Sequence, residues 1–425
     1  MPFRFVHAAD IHLDSPLRSL ALRDPDLAEL IGNATRRALV RIVDLCLEEQ
    51  VDALLLAGDL YDGDQTSMKT ARFLADQIRK LHEAGIRVFV IRGNHDALSR
   101  ITKELTLPDS VTLFTGRGNA VAIERARGEL PVVVHGVSFA EAHAPESLLG
   151  KYRPPTEGAV NIGLMHTSLD GSPGHDPYAP CRAADLHAAG FRYWALGHIH
   201  MRSMLDGDAT IVMPGMPQGR DINEAGPKSV SLVTVRDDRS VLVEERLTSV
   251  AQFERVAVDL SEVEDWSGVA GAVRSALECG RTAARSEHLI VRLRLHGETP
   301  FAWRMRRDLD LLGTEAASQA AGVGKTMVER VELDCTAPTK AADVEGVDPL
   351  TELRRLIGDE ILAGEHFRAD VTAIAEELRG QLPPECRNLL GDSEAAFAAR
   401  LGAIMREGAE DVLARLHADD GVEGG

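Results

Sequence analysis

Short apolar runs punctuate the first 250 residues, with helical stretches between several of them. FRFVHAA, DALLLAG and RVFVIRG predict strands, separated by stretches of helical period around 34–50 and 67–84. Further strand-like runs are VVVHGVSF, VNIGLMH, YWALGH, ATIVMPG and SVSLVTV. This alternation predicts an α/β domain of layered sheet and helix over residues 1–250. After Val250 the texture changes. FERVAVDLS, a helix near 266–279, HLIVRLRLHG, a helix near 301–321 and TMVERVELDC predict a small α/β module over 251–340. A loose TAPTKAADVEGVDP leads into a helical C-terminal region, 341–425, whose last residues, DDGVEGG, have the composition of a disordered tail.

Composition narrows the class. The longest apolar stretches, such as ALLLA at 53–57, fall far short of a membrane span, and the start FRFVHAAD carries no basic-then-apolar leader, so a cytoplasmic protein without membrane contact is expected. The five cysteines are odd in number, scattered and free of any C-x-x-C pair, which indicates neither a disulfide framework nor a thiolate metal site. A net charge of −19, of which −13 lies beyond Thr248, argues against coating nucleic acid by bulk electrostatics. It leaves a nuclease open, because bound cations would offset acids in the first domain.

The ends of the apolar runs carry the chemistry. HAADIHLD supplies Asp10 and His12, LLLAGDLYD supplies Asp59 and Asp62, and VFVIRGNHD supplies Asn94, His95 and Asp96. NIGLMHTS adds His166, and YWALGHIH adds His198 and His200. Ligands in open α/β sheets gather outside the carboxyl ends of strands, so segments nearly 200 residues apart can converge there. Residues two apart, as in both Asp10/His12 and His198/His200, lie on one side of an extended chain. Nitrogen and oxygen donors without thiolates suit Mn, Fe, Zn or similar ions, and two such ions roughly 3.5–4 Å apart form a clamp for in-line displacement at phosphorus. Gly58, Gly93 and Gly197 directly precede candidate ligands and permit close backbone approach.

In this order, D-x-H, G-D-x-x-D, G-N-H-D, a later strand-end His and G-H-x-H resemble the calcineurin-like metallophosphoesterase superfamily over residues 4–202. Within it the chain is similar to the DNA-repair nucleases of the Mre/SbcD group, and through HAADIHLDSPL, GDLYDGD, YAPC and PGMPQGRDINE to the bacterial YhaO-like branch. Met216 departs from the small polar residue the family would place after PG. The resemblance implies a layered β-sandwich flanked by helices. It also implies two divalent metal ions, Mn2+ first and Fe, Mg or Zn as alternatives. Asp10, His12 and His200 would bind one ion, Asn94, His166 and His198 the other, and Asp59 both. His95 would contact the phosphate and assist the leaving oxygen, with Asp62 accepting a hydrogen bond from it. The implied partners are DNA and a coiled-coil SMC-like ATPase, and a homodimer is compatible.

Other features carry less. His7, inside the first strand pattern, reads as a hydrogen-bonded core residue, and His135 and His143 match no partner. His175 and Tyr178, in the loop DGSPGHDPYAPC, are candidates to line a substrate cleft, and Arg220 is a further candidate contact. GVGKT at 322–326 lacks the first glycine of a phosphate loop, since position 319 is Gln319, and reads as a helix C-cap. Apolar residues at three-and-four spacing in the C-terminal helices, among them Phe397, Leu401, Ile404 and Met405, predict packing faces, one of which is a candidate for docking the ATPase. The reading that follows is a two-metal phosphodiesterase acting on DNA. Its rivals are a phosphatase or small-molecule phosphodiesterase of the same superfamily, and a non-catalytic scaffold for DNA or an ATPase. A scaffold would be marked by a lost ligand, and none is lost.

Overall fold

The computed structural model describes residues 1–15, 25–61, 67–95, 107–141, 144–170, 178–338, 349–382, 390–391 and 393–416. The expected linker and tail fall largely outside them. The chain forms two compact units. The first comprises Met1–Arg255, Cys279–Arg292 and Lys325–Met327, and the second Val256–Glu278, Leu293–Gly324 and Val328–Gly425.

Twelve strands build the first unit's two sheets. They are β1 (Phe3–Ala8), β2 (Ala53–Ala57), β3 (Arg87–Ile91), β4 (Val111–Leu113), β5 (Asn119–Ile123), β6 (Val132–Gly136), β7 (Val160–His166), β8 (Tyr193–Gly197), β9 (Ser203–Leu205), β10 (Thr210–Met213), β11 (Ser229–Val235) and β12 (Val241–Leu247). One sheet has the order β12-β11-β1-β2-β3-β4 and the other β5-β6-β7-β8-β10-β9. In the first sheet β1 to β4 run parallel, with β11 antiparallel to β1. In the second, β6, β7, β8 and β10 run parallel between antiparallel edges.

Side-chain alternation explains the layers. Phe3 and Phe5 of β1, Leu55 of β2 and Phe89 of β3 share a core with Val134, Ile162, Leu164 and Tyr193 of the other sheet. The intervening residues Val6, Ala8, Leu54, Leu56, Val88 and Val90 face outward onto helices. There they meet Leu39, Ile42 and Cys46 of α1 (Pro25–Glu48) and Leu74, Ile78 and Leu81 of α2 (Met68–Glu83). Helix α1 starts nine residues before the expected stretch, with Pro25 as its first helical residue, where a missing N–H costs nothing. The far face of the second sheet, through Trp194, Leu196 and Ile211, packs on Leu186 of α3 (Ala183–Ala188).

A third sheet has the order β13-β14-β15, formed by Ala251–Asp259, His288–Glu298 and Thr326–Thr336. The second unit adds α4 (Trp266–Ala283), α5 (Ala302–Arg307), α6 (Leu309–Val323), α7 (Pro349–Leu356), α8 (Glu365–Gln381) and α9 (Glu394–Leu416). Ala375 of α8 packs with Phe397 and Leu401 of α9. Helix α6 ends at Gly324, whose φ of 78° lies in the left-handed region and whose N–H closes onto Ala320 O at 3.1 Å. GVGKT is therefore a helix C-cap. No helix among the described residues is long and apolar enough to cross a membrane.

His7 clips the two sheets together. From β1 its Nε2–H donates to Leu196 O of β8 at 3.0 Å, and its Nδ1 accepts from Tyr193 Oη at 2.9 Å. Burial pushes its pKa down to about 3, so the fold holds a neutral ring. Because the unfolded chain binds this proton near pH 6.5, stability from the neutral ring is present above that pH. It is lost as pH falls toward 3, at up to about 1.4 kcal/mol per unit. Urea midpoints at pH 6.5 and 4.5 should therefore fall further for the native chain than for His7→Gln, and equal losses would show that His7 does not set the acid limit.

Candidate functional site

The site is built where β1, β2, β3, β7 and β8 end. Backbone pairing continues beyond the strands: Asp10 N–H donates to Gly58 O at 3.0 Å, His12 N–H to Asp59 O at 3.1 Å, and Leu13 N–H to Leu60 O at 2.9 Å. Thr167 N–H does the same to Gly197 O at 3.1 Å. Side chains add cross-ties. His198 N–H donates to both oxygens of Asp10, at 3.1 and 3.0 Å, and His95 N–H donates to Asp59 Oδ1 at 3.0 Å. Four non-glycine residues here hold left-handed φ angles: Asp10 at 53°, His12 at 44°, Asp59 at 52° and His198 at 106°. Such strain gathers at functional sites, and it persists only where surrounding bonds over-determine the backbone.

Seven expected ligands come together. Asp10, His12, Asp59 and His166 are essentially inaccessible to solvent, and His198 is 9% exposed. Donor atoms of Asp10, His12 and His200 lie within 4.8 Å of one another, as do those of Asp10, Asp59 and His166. His12 Nε2 stands 3.2 Å from His200 Nε2 and 4.0 Å from Asp59 Oδ2. His166 Nε2 stands 3.0 Å from Asn94 Oδ1 and 3.3 Å from Asp59 Oδ2. The His198 ring centre is 5.2 Å from that of His166. His95 differs: its side chain is exposed, with its ring 5.1 Å from that of His12.

Donor chemistry shows what fits among them. His166 Nδ1 faces the carbonyl of Ala57 at 3.0 Å and must carry its hydrogen there. A neutral His166 would then aim an Nε2 lone pair at two acceptor oxygens, Asn94 Oδ1 and Asp59 Oδ2. Positive charge resolves this, either as a proton or as a bound cation. Burial alone would lower the His166 pKa, but the charge of Asp59 and the hydrogen bond to it raise it to about 9. Burial likewise opposes ionisation of Asp59, yet His166 holds that carboxyl well below the usual range. Burial raises the pKa of Asp10, only partly offset by His166 and His200. A buried set of two carboxylates, an amide oxygen and four imidazoles is a donor set suited to divalent cations.

A second ring supports the first. His200 Nδ1–H donates to Glu224 Oε1 at 2.9 Å, and Arg220 grips the same carboxylate through Nη2 at 2.7 Å and Nε at 3.2 Å. Sequence reasoning missed Glu224 because its link to His200 spans 24 residues of irregular chain. The Arg220 guanidinium is thus shared with Glu224. The Tyr178 ring lies 5.3 Å from that of His198, which makes it a wall of the site. Met216 is fully buried and its N–H donates to His200 O at 3.3 Å, so this residue seats the His200 loop from within. Asp62 and His175 lie outside the described residues.

Comparison with known proteins agrees with this geometry. Residues 3–202 match the calcineurin-like phosphoesterase family, and residues 253–336 match the middle domain of metallophosphoesterase YhaO. The uncharacterized metallophosphoesterase YhaO of Bacillus subtilis (strain 168) is 34% identical over 300 residues, covering 70% of this chain and 72% of that one. The DNA double-strand break repair protein Mre11 of Sulfurisphaera tokodaii is 27% identical over 224 residues, 50% of this chain and 54% of that one. The chain thus spans about half the length of that Mre11 relative. The crystal structure of TT1561 of Thermus thermophilus is similar over 58% of this chain and 99% of its own, at 16% identity and a TM-score of 0.33.

Close packing of glycine against the carboxylates gives a test. A Cβ on Gly93 would overlap Asp59 Oδ1, and one on Gly58 would lie 2.5 Å from His166 Nδ1. The Gly93 backbone is open to any residue, so the obstacle is space alone. Gly93→Ala should keep its circular dichroism but lose roughly 10–100-fold in Mn2+ affinity by calorimetry, the range for displaced ligand supports. Binding at native affinity would show that Asp59 does not need this approach.

Proposed function

The chain belongs to the calcineurin-like phosphoesterase family, and from that premise we propose that it is a two-metal phosphodiesterase acting on DNA, in the manner of the Mre/SbcD nucleases. The observation that carries the metal-dependent chemistry is the convergence of Asp10 and Asp59 with four imidazoles and an exposed His95 beside them. Asp10, His12 and His200 hold one divalent ion, Asn94, His166 and His198 the other, and Asp59 both. Mn2+ is the preferred occupant. When bound, such a pair supplies Lewis acidity at the phosphate and activates water as the nucleophile.

The chain's own residues do the rest. His95, exposed beside the buried cluster, donates a proton to the departing oxygen, and Asp62 orients it. Tyr178 offers a base a stacking surface, with His175 and Arg220 as further substrate contacts. Support for DNA comes from the likeness to proteins named for double-strand break repair and from the extra chain beyond residue 202. Phe367, Ile374 and Leu378 line one exposed face of α8, and this face is the proposed dock for a coiled-coil ATPase.

End-labelled single- and double-stranded DNA, incubated with Mn2+ or with EDTA beside bis-p-nitrophenyl phosphate, tests the substrate. Metal-dependent DNA cleavage is expected. Hydrolysis of the small diester with intact DNA, even with a candidate ATPase present, would make this a small-molecule phosphodiesterase. Two variants test the roles. His95→Ala should keep both Mn2+ equivalents and lose roughly 10²–10⁴-fold in rate, the range for a lost general acid. Asn94→Ala should weaken one equivalent and regain activity at high Mn2+. Loss of an ion in His95→Ala would reassign that residue as a ligand.

A further inference from the structure

We propose that Glu224 is a positioning residue of the metal centre: it holds His200 in the tautomer and orientation that present Nε2 to Asp10 and His12. This rests on the metal-binding part of the reading above and is independent of DNA as substrate. The His200 ring has two nitrogens and only one can face the cluster. Its Nδ1–H is taken by Glu224 Oε1 at 2.9 Å, which leaves the Nε2 lone pair 3.2 Å from His12 Nε2. A carboxylate behind a ligating imidazole fixes the ring and raises the basicity of the nitrogen in front.

Glu224 can do this because it is itself immobilised. Its Oε2 accepts the Arg220 N–H at 2.7 Å, and the Arg220 fork occupies both oxygens. The carboxylate is 11% exposed. It sits on the short turn Ile222–Glu224, which starts at Asp221, whose Oδ1 accepts from Asn223 N–H at 2.7 Å. Ile222 anchors the turn in a core with Leu27, Ile31 and Phe253. If Glu224 served only to tie down this loop through Arg220, loss of either partner would have the same effect.

Calorimetric titration of the metal-free full chain with Mn2+ separates the two roles. For Glu224→Gln, one of two equivalents should weaken by roughly 10–100-fold while the other is unchanged. Arg220→Ala should stay near native at both, since the bond from His200 to the carboxylate survives. Glu224→Gln/His200→Asn should bind no more weakly than His200→Asn alone, because residues acting as one unit are not additive. A measurement on the native chain needs no variant to fold: ¹⁵N spectra of labelled histidine should show His200 protonated at Nδ1 and bare at Nε2. Equal losses in Glu224→Gln and Arg220→Ala, additivity in the double variant, or the opposite tautomer would each overturn the proposal. A native chain that binds neither Mn2+ nor Zn2+ would overturn the metal centre itself, and the role of Glu224 with it.

Discussion

Three backbone hydrogen bonds, from Asp10, His12 and Leu13 to Gly58, Asp59 and Leu60, register the loop after β1 on the loop after β2. Everything chemical in the first unit depends on this short continuation of a parallel ladder. It sets Asp10, His12 and Asp59 side by side without help from any ligand. Thr167 repeats the device against Gly197, and the His198 N–H ties that second pair back to Asp10 across the seam between the sheets. The imidazoles therefore arrive on a scaffold whose polar backbone groups are already satisfied, which lets the site be both buried and irregular.

Burial has a cost that the cluster distributes rather than avoids. Two carboxylates almost out of contact with water would be unstable in apolar surroundings. Each instead faces imidazoles and accepts backbone N–H bonds, so negative charge is balanced by groups that can exchange a proton for a cation. Electrostatics of this kind is local. It is compatible with a strongly acidic chain, since the excess acid lies mostly beyond Thr248.

Much of this was legible in the residue pattern, for one physical reason. Buried parallel strands are continuous apolar runs, so a polar residue at the end of one stands out, and Asp10, Asp59, Asn94, His166 and His198 all occupy that position. Edge strands were harder. VLVEERL of β12, with one open face and one neighbour, lacks both a continuous run and clean alternation. Helix α1 was under-read because its first turns mix small and polar residues, although Pro25 marked the start. Glu224 left no local signal: its purpose is defined by His200, and nothing in a helical or strand period connects them. The split of β13, β14 and β15 between two compact units is likewise a property of long-range contacts, which no composition shift records.

The left-handed backbone at Asp10, His12, Asp59 and His198 has an implication for how robustness and competence relate in this molecule. Each such angle stores on the order of 1–3 kcal/mol that a glycine would release. A chain with one of these donors replaced by glycine would shed strain and charge repulsion together, and could outlast the native chain on heating while binding nothing. Endurance of the metal-free protein and quality of its site are then separate quantities, free to move in opposite directions. A search for hardier variants guided by melting temperature alone would tend to select the very chains that have given up their chemistry.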